Sequence, residues 1–260
     1  MSICKRIFND NDIYQMAIIN ADLIALNDNY RGVCFVDSNL EDKGEIQISE
    51  NFVVDGIING EKFFLLYSYE EAAVIIVECE NNSHKTVDLG YLSTEYIVPY
   101  YRWINPDHLL LYDYSGYKYL IDCTKGIVKR SQIDQTNDEI ARIPLSQIVG
   151  YNHFSCQILI QREGEIIVAN TQKEKEIVVA KKNDIVSCDV YKNYCLIIYE
   201  KQAVVFTKGA VRTAYAKPGF SFLRGGILPT SNLKYVLLSS DNANAKHCEL
   251  EIWSTGDWDT

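Results

Sequence analysis

The chain has 260 residues and a formal net charge of −10, with 25 Lys and Arg against 35 Asp and Glu. That balance excludes ordinary nucleic-acid binding, which needs clustered cations to neutralise phosphates. It suits a basic partner, because an acidic surface steers a cationic one. Apolar residues make up 47%, and their longest runs are about five residues, far short of a ~20-residue membrane span. The first residues, Met1 to Arg6, lead into charged and polar sequence rather than a secretory apolar core, which predicts a cytoplasmic protein. Eight Cys without a CxxC pair then read as reduced, buried thiols.

One pattern recurs along the chain: a polar turn, an apolar run, a second polar turn, a second apolar run, and a small or acidic stop. The first copy opens at Asn20-Ala21-Asp22 with LIAL and VCFV. The next open at Asn59 with FFLLY and AVIIV, at Asn105 with LLLY and YLI, and at Asn152 with ILI and EIIV. The last two open at Lys192 with CLIIY and AVVF, and at Thr230 with YVLL and LEIW. The second runs end at Val36, Val77, Ile121, Val168, Phe206 and Ile252, a drifting period near forty. Short Val-, Ile- and Tyr-rich strands at that period predict an all-β chain, a β-propeller of about six four-stranded blades in one domain over 1–260. Five or seven blades, or a pair of antiparallel sandwiches, stay open at this stage.

In chain order, blade 1 is expected over YQMAII, LIAL, VCFVD and EIQIS (residues 45–49 for the last). Blade 2 follows with VVDGII, FFLLY, AVIIVE and KTVDL, and blade 3 with YIVPYYRW, HLLLY, YKYLID and GIVKRS. Residues 131–148 read as a long connection with a short helical turn before Pro144. Blades 4 and 5 follow, and blade 6 starts at Phe220 but lacks a fourth strand. The strand-like segment from Ile3 to Phe8 is predicted to supply it, since an incomplete blade leaves open sheet edges. Gly225-Gly226, inside a strand pattern, marks a bulge or close packing.

On Glu251-Ile252-Trp253-Ser254, and on Val36-Asp37, Val77-Glu78 and Ile121-Asp122, the chain resembles a divergent WD-repeat propeller across nearly its whole length. That resemblance implies the strand exchange just described.

No chemistry announces itself. The four His lack zinc spacing, and there is no nucleophile elbow, phosphate loop or sialidase-type Asp box. The reading is a non-enzyme with no metal and no cofactor. Eight aromatic residues between Tyr96 and Tyr119 are mostly expected in the core. The turns after each second strand should instead be exposed on one face. They carry the predicted protein-binding residues: Asp28, Tyr30, Tyr69, Glu70, Glu71, Asp113, Tyr114 and Glu163. By analogy, a compact acidic propeller without catalytic motifs resembles the immunity proteins bacteria hold against delivered toxins. The expected function is then neutralisation of a cationic toxin domain, a nuclease of the contact-dependent growth inhibition type, by a monomer that covers its active site. The alternatives are a propeller scaffold or adaptor, and a propeller enzyme acting at a central channel.

Overall fold

The computed structural model describes residues 4–29, 31–49, 52–89, 97–134, 136, 138–170, 173–181, 185–207 and 210–254. Twenty-four strands among these residues form six separate four-stranded antiparallel sheets. Strand β1 (Cys4–Asn9) stands before the first full blade. Blade 1 is β2 (Met16–Asn20), β3 (Leu23–Asp28), β4 (Gly32–Val36) and β5 (Asp42–Ile46). Blade 2 is β6 (Gly56–Ile58), β7 (Phe63–Ser68), β8 (Ala73–Glu78) and β9 (His84–Asp88). Blade 3 is β10 (Ile97–Asn105), β11 (His108–Asp113), β12 (Tyr117–Asp122) and β13 (Ile127–Gln132). Two short 3-10 turns, Glu139–Arg142 and Leu145–Gln147, flank Pro144 in the long connection that follows. Blade 4 is β14 (Ile148–Asn152), β15 (Gln157–Arg162), β16 (Glu165–Asn170) and β17 (Lys173–Lys181). Blade 5 is β18 (Ile185–Tyr191), β19 (Tyr194–Tyr199), β20 (Gln202–Thr207) and β21 (Ala210–Tyr215). Blade 6 is β22 (Phe220–Leu228), β23 (Lys234–Asp241), β24 (Asn244–Ser254) and, as its outer strand, β1.

The polar positions of the repeat are turn caps. Asn20, Asn105 and Asn152 end first strands, and each side-chain oxygen accepts a backbone N–H two or three residues on: Asp22 at 2.8 Å, Asp107 at 2.9 Å and Ser155 at 3.1 Å. The acidic stops do the same one turn later. Asp37 accepts from the amides of Asn39 and Glu41, and Asp122 from Lys125. An Asp or Asn there closes the hairpin by bonding its own backbone.

Second strands are apolar without alternation because both of their faces are covered. Ile24 to Leu26, Phe64 to Leu66 and Leu196 to Ile198 are all buried. The chain divides into two compact units, residues 1–51 with 181–260, and residues 52–180. In the second unit, Leu65 and Ile76 of blade 2 pack with Leu109, Leu111 and Tyr119 of blade 3. Tyr100 and Tyr112 of blade 3 pack with Ile158 and Ile160 of blade 4. In the first unit, Leu196 and Ile198 of blade 5 pack with Phe222 and Leu237 of blade 6. A Cβ on Gly225 would lie 2.6 Å from Ile198 Cδ1, and one on Gly226 2.8 Å from Ile18 Cγ1. The glycine pair therefore lets blades 5 and 1 approach β22 closely, as the sequence suggests.

Strand β1 pairs with β24 in continuous register from Cys4↔Ile252 to Asn9↔His247. The Lys5 ammonium reaches the Glu249 carboxylate, which is 2% exposed, and Lys217 donates to its other oxygen at 3.0 Å. Burial alone would raise this carboxyl, but the two lysines outweigh it and hold it below the usual range. Arg6 extends the other way, donating to the Leu40 carbonyl at 3.1 Å and to Asp42 Oδ1 at 2.6 Å in blade 1. The first six described residues thus complete blade 6 and tie it to blade 1.

One strand differs from expectation. The outer strand of blade 1 is Asp42–Ile46, not 45–49, and all of it but Ile46 is exposed. An outer strand covered on neither face has no apolar pattern to read.

All eight cysteines are free. Burial pushes Cys34, Cys123 and Cys188 up to about 12, and Cys79 and Cys248 up to about 11. Thiolate, the reactive form, is therefore scarce at neutral pH. Alkylation of native protein at pH 8 should leave these five unlabelled over minutes. Unfolding without reductant should then label all eight, and a mass deficit equal to one pair would contradict the assignment.

Candidate interaction face

Within each four-stranded sheet, the turn joining the second and third strands stands at the opposite end from the turns joining the first pair and the last pair. In blade 2 this turn follows Ser68. The Tyr69 amide donates to Asp55 Oδ2 at 2.5 Å, the Glu71 amide to Ser68 Oγ at 3.4 Å, and Ala72 takes a positive φ of 48°. These bonds fix the loop so that Tyr69 is 38% exposed and Glu70 and Glu71 are exposed. The Tyr67 ring backs Tyr69, with centroids 5.5 Å apart. Burial raises the Asp55 carboxyl, and the nearby Glu70 adds to the rise. Neither Glu70 nor Glu71 forms an ion pair among the described residues.

In blade 3 the same turn runs from Asp113 to Tyr117. Asp113 is 4% exposed, so its expected place on the surface is corrected. Its Oδ1 accepts the Tyr117 amide at 2.9 Å and its Oδ2 the Tyr119 hydroxyl at 2.7 Å. Tyr119 is pushed up to about 12 by burial and by that carboxylate. The Arg130 guanidinium lies over the Tyr117 ring, 3.7 Å from its centroid. Tyr114 is 39% exposed, and its hydroxyl makes a long bond of 3.5 Å to the Ile148 carbonyl. Its phenol is raised by burial and, secondarily, by the neighbouring Tyr69. Tyr69 and Glu70 thus stand exposed on the turn of blade 2, and Tyr114 on the equivalent turn of blade 3. Glu163 is exposed on the matching turn of blade 4, at a positive φ of 50°.

Asp28 is likewise corrected. It belongs to the other compact unit and is 1% exposed. Asn11 donates to its carboxylate, and Arg31 Nε stands 3.9 Å away. It lines a polar cleft of about 440 Å³ with Arg6, Phe8, Arg31 and Asp42. Tyr30 lies outside the described residues. The sequence reading missed Asp55 and Tyr67. The one available signal was that segments preceding a first strand reach this turn, as Asn11 does for Asp28.

Of the eight aromatic residues from Tyr96 to Tyr119, Tyr96 lies outside the described residues and four are core. Tyr100, Tyr101, Tyr112 and Tyr119 are buried, and His153 stacks on Tyr101 at 5.9 Å. Burial lowers the His153 imidazole. No group of three or more His, Cys, Asp or Glu suited to a metal occurs among the described residues. No helix among them is long and apolar enough to cross a membrane.

Six four-stranded antiparallel blades, with the N-terminal strand completing the last, define a β-propeller. Two solved structures carry the same fold. The chain matches the WD40 domain of Neurospora crassa Pan2 at a TM-score of 0.58 and 10% identity, over 92% of this chain and 88% of that one. It matches PorZ, a bacterial surface component of the type-IX secretion system of Porphyromonas gingivalis, at a TM-score of 0.59 and 13% identity. That match covers 96% of this chain but only 39% of PorZ, so the chain spans well under half of that relative. No family model and no curated protein matches the sequence. The fold is thus WD-repeat-like, without the family's repeated signature residues.

Proposed function

We propose that this chain is a protein-binding module that docks a cationic partner on the second-to-third-strand turns of blades 2 and 3. The observation that carries the reading is the exposure of Tyr69, Glu70 and Tyr114 on equivalent turns of two blades that share a core. These turns present two half-exposed aromatic rings and a carboxylate that has no ion pair among the described residues, on loops fixed by their own hydrogen bonds. Tyr contributes large amphipathic area at low entropic cost, and rigid loops keep ordering costs small. The propeller fold shared with a WD40 domain fits a scaffold or adaptor. The narrower reading, a monomeric cytoplasmic protein that neutralises a nuclease toxin domain by covering its groove, rests on the net charge of −10. Nucleases are cationic where they hold nucleic acid.

The test separates encounter from residence. Reversing Glu70 and Glu71 to Lys should lower the association rate with the cationic partner about tenfold at low salt and flatten its salt dependence. Tyr114→Ala should leave that rate within about threefold and raise the dissociation rate about tenfold or more. Melting temperatures should stay close to wild type, because exposed turn positions cost little stability. An acidic partner, or unchanged rates in both variants, would remove the reading.

A further inference from the structure

We propose that β21 (Ala210–Tyr215), the outer strand of blade 5, takes up an acidic, extended segment of a partner protein as a fifth strand of its sheet. The site belongs to the other compact unit from the turns of blades 2 and 3, and it does not depend on them. Three observations carry it. First, β21 ends its sheet. It pairs with β20 from Gln202↔Tyr215 to Thr207↔Ala210, and no other described strand is bonded to it. Every second N–H and C=O along such an edge points away from the neighbouring strand. Second, β21 lacks the protection of the other outer strands. Charged side chains ordinarily keep an edge from pairing. Each of β1, β5, β9, β13 and β17 holds at least two Asp, Glu, Lys or Arg, whereas AVRTAY holds Arg212 alone. One face of the strand is also apolar and open. Val211, Thr213 and Tyr215 share it by strand alternation. Val211 and Tyr215 are 54% and 65% exposed, the highest values for large apolar side chains among the described residues. The opposite face is covered, with Ala214 in the core between blades 5 and 6.

Third, charge names the occupant. From Lys201 to Ser240 the sequence has six cations and no Asp or Glu, in a chain of net charge −10. Arg212 stands on the edge strand itself. Lys217, two residues beyond its Tyr215 end, is half-exposed and donates to Glu249 at 3.0 Å, which occupies one of the three donors of an ammonium. A second copy of β21 would set one Arg212 edge against another, and like charges across a ladder are unfavourable. A strand that alternates acidic and apolar residues has no such conflict. Its apolar side chains extend the face of Val211 and Tyr215, its acids lie on the face of Arg212, and its backbone satisfies the open edge.

The probe is an acetylated, amidated six-residue peptide alternating glutamate and valine, titrated into the isotope-labelled full chain and followed by NMR. The backbone amide signals of residues 210–215 should shift together, and their hydrogen exchange should slow about tenfold at saturation. A peptide alternating lysine and valine should bind about tenfold more weakly. The glutamate peptide N-methylated at every amide, which cannot donate to a strand, should also lose about tenfold. Val211→Glu and Tyr215→Glu, both at exposed positions, should each weaken binding about fivefold while melting stays close to wild type. Equal binding of the lysine peptide overturns the acidic occupant. Equal binding of the N-methylated peptide, or shifts that miss residues 210–215, overturns strand addition. Sedimentation of the chain without peptide should show a monomer. A dimer that Val211→Glu abolishes would make a second copy the occupant and overturn the acidic partner.

Discussion

Removing residues 1–8 should abolish cooperative unfolding. Blade 6 would lose its outer strand, and β24 would be left with an open edge along five of its six paired positions. Phe8, now buried, would be gone, at about 2 kcal/mol by the usual value of a core aromatic. Glu249 would lose one of its two lysines and part of its cover, at about 1–3 kcal/mol for a buried charge made less satisfied. Arg6 would no longer hold Leu40 and Asp42 of blade 1. With the ladder bonds, these losses total on the order of the 5–15 kcal/mol that stabilises a whole domain. The open edge also invites pairing with other chains. Differential scanning calorimetry with light scattering should show a broad, early transition or aggregates. A monomeric truncated protein with an unchanged melting temperature would contradict the role given to β1.

Gly32→Ala should be the most damaging single exchange in blade 1. Gly32 has φ +114°, a conformation L side chains rarely adopt. A Cβ there would also fall far inside contact distance of the Ile46 carbonyl oxygen and 3.0 Å from the Ile48 amide. Those are backbone atoms of the paired strand and the residues after it, so the strand itself must move. Strain costs about 1–3 kcal/mol, and the displacement about as much again. The opposing gain, a less free unfolded chain, is only about 0.4–1 kcal/mol. Gly219 is the control: it has φ +85°, but a Cβ added there would meet nothing within 4 Å. Gly219→Ala should therefore cost about 1 kcal/mol by denaturant unfolding, and Gly32→Ala at least about 3 kcal/mol. Equal costs would mean that the contact with Ile46 carries no weight.

Much of the fold was legible because each blade repeats the same physical demands. Second and third strands covered on both faces read as unbroken apolar runs, so β7, β8 and β19 stand where the pattern puts them. The missing fourth strand of blade 6 was legible as a deficit, and CKRIF as the segment able to fill it. Outer strands were harder to place. Asp42–Ile46 has one buried residue, and nothing in DKGEI separates a strand from a loop.

The candidate face was only half legible, for a related reason. An Asp in a turn can face water or bond its own backbone. Asp113 does the latter, with the Tyr117 amide four residues on and the Tyr119 hydroxyl six residues on. Asp28 turns inward to Asn11. Neither partner is evident from the local sequence, whereas among the described residues the side chains of Tyr69, Glu70, Glu71 and Glu163 have no such bond and Tyr114 has only its long one to Ile148, so all five remain at the surface.

The most direct test places a photo-crosslinking amino acid at Glu71, which is exposed on the proposed face. A second protein carries it at Glu61, at the opposite end of blade 2 between β6 and β7. Irradiated in the native cell, the Glu71 protein should join one basic polypeptide, and the adduct should disappear with Tyr114→Ala while the Glu61 protein joins none. Crosslinking from Glu61 alone, or an acidic polypeptide at Glu71, would contradict docking of a cationic partner on this face.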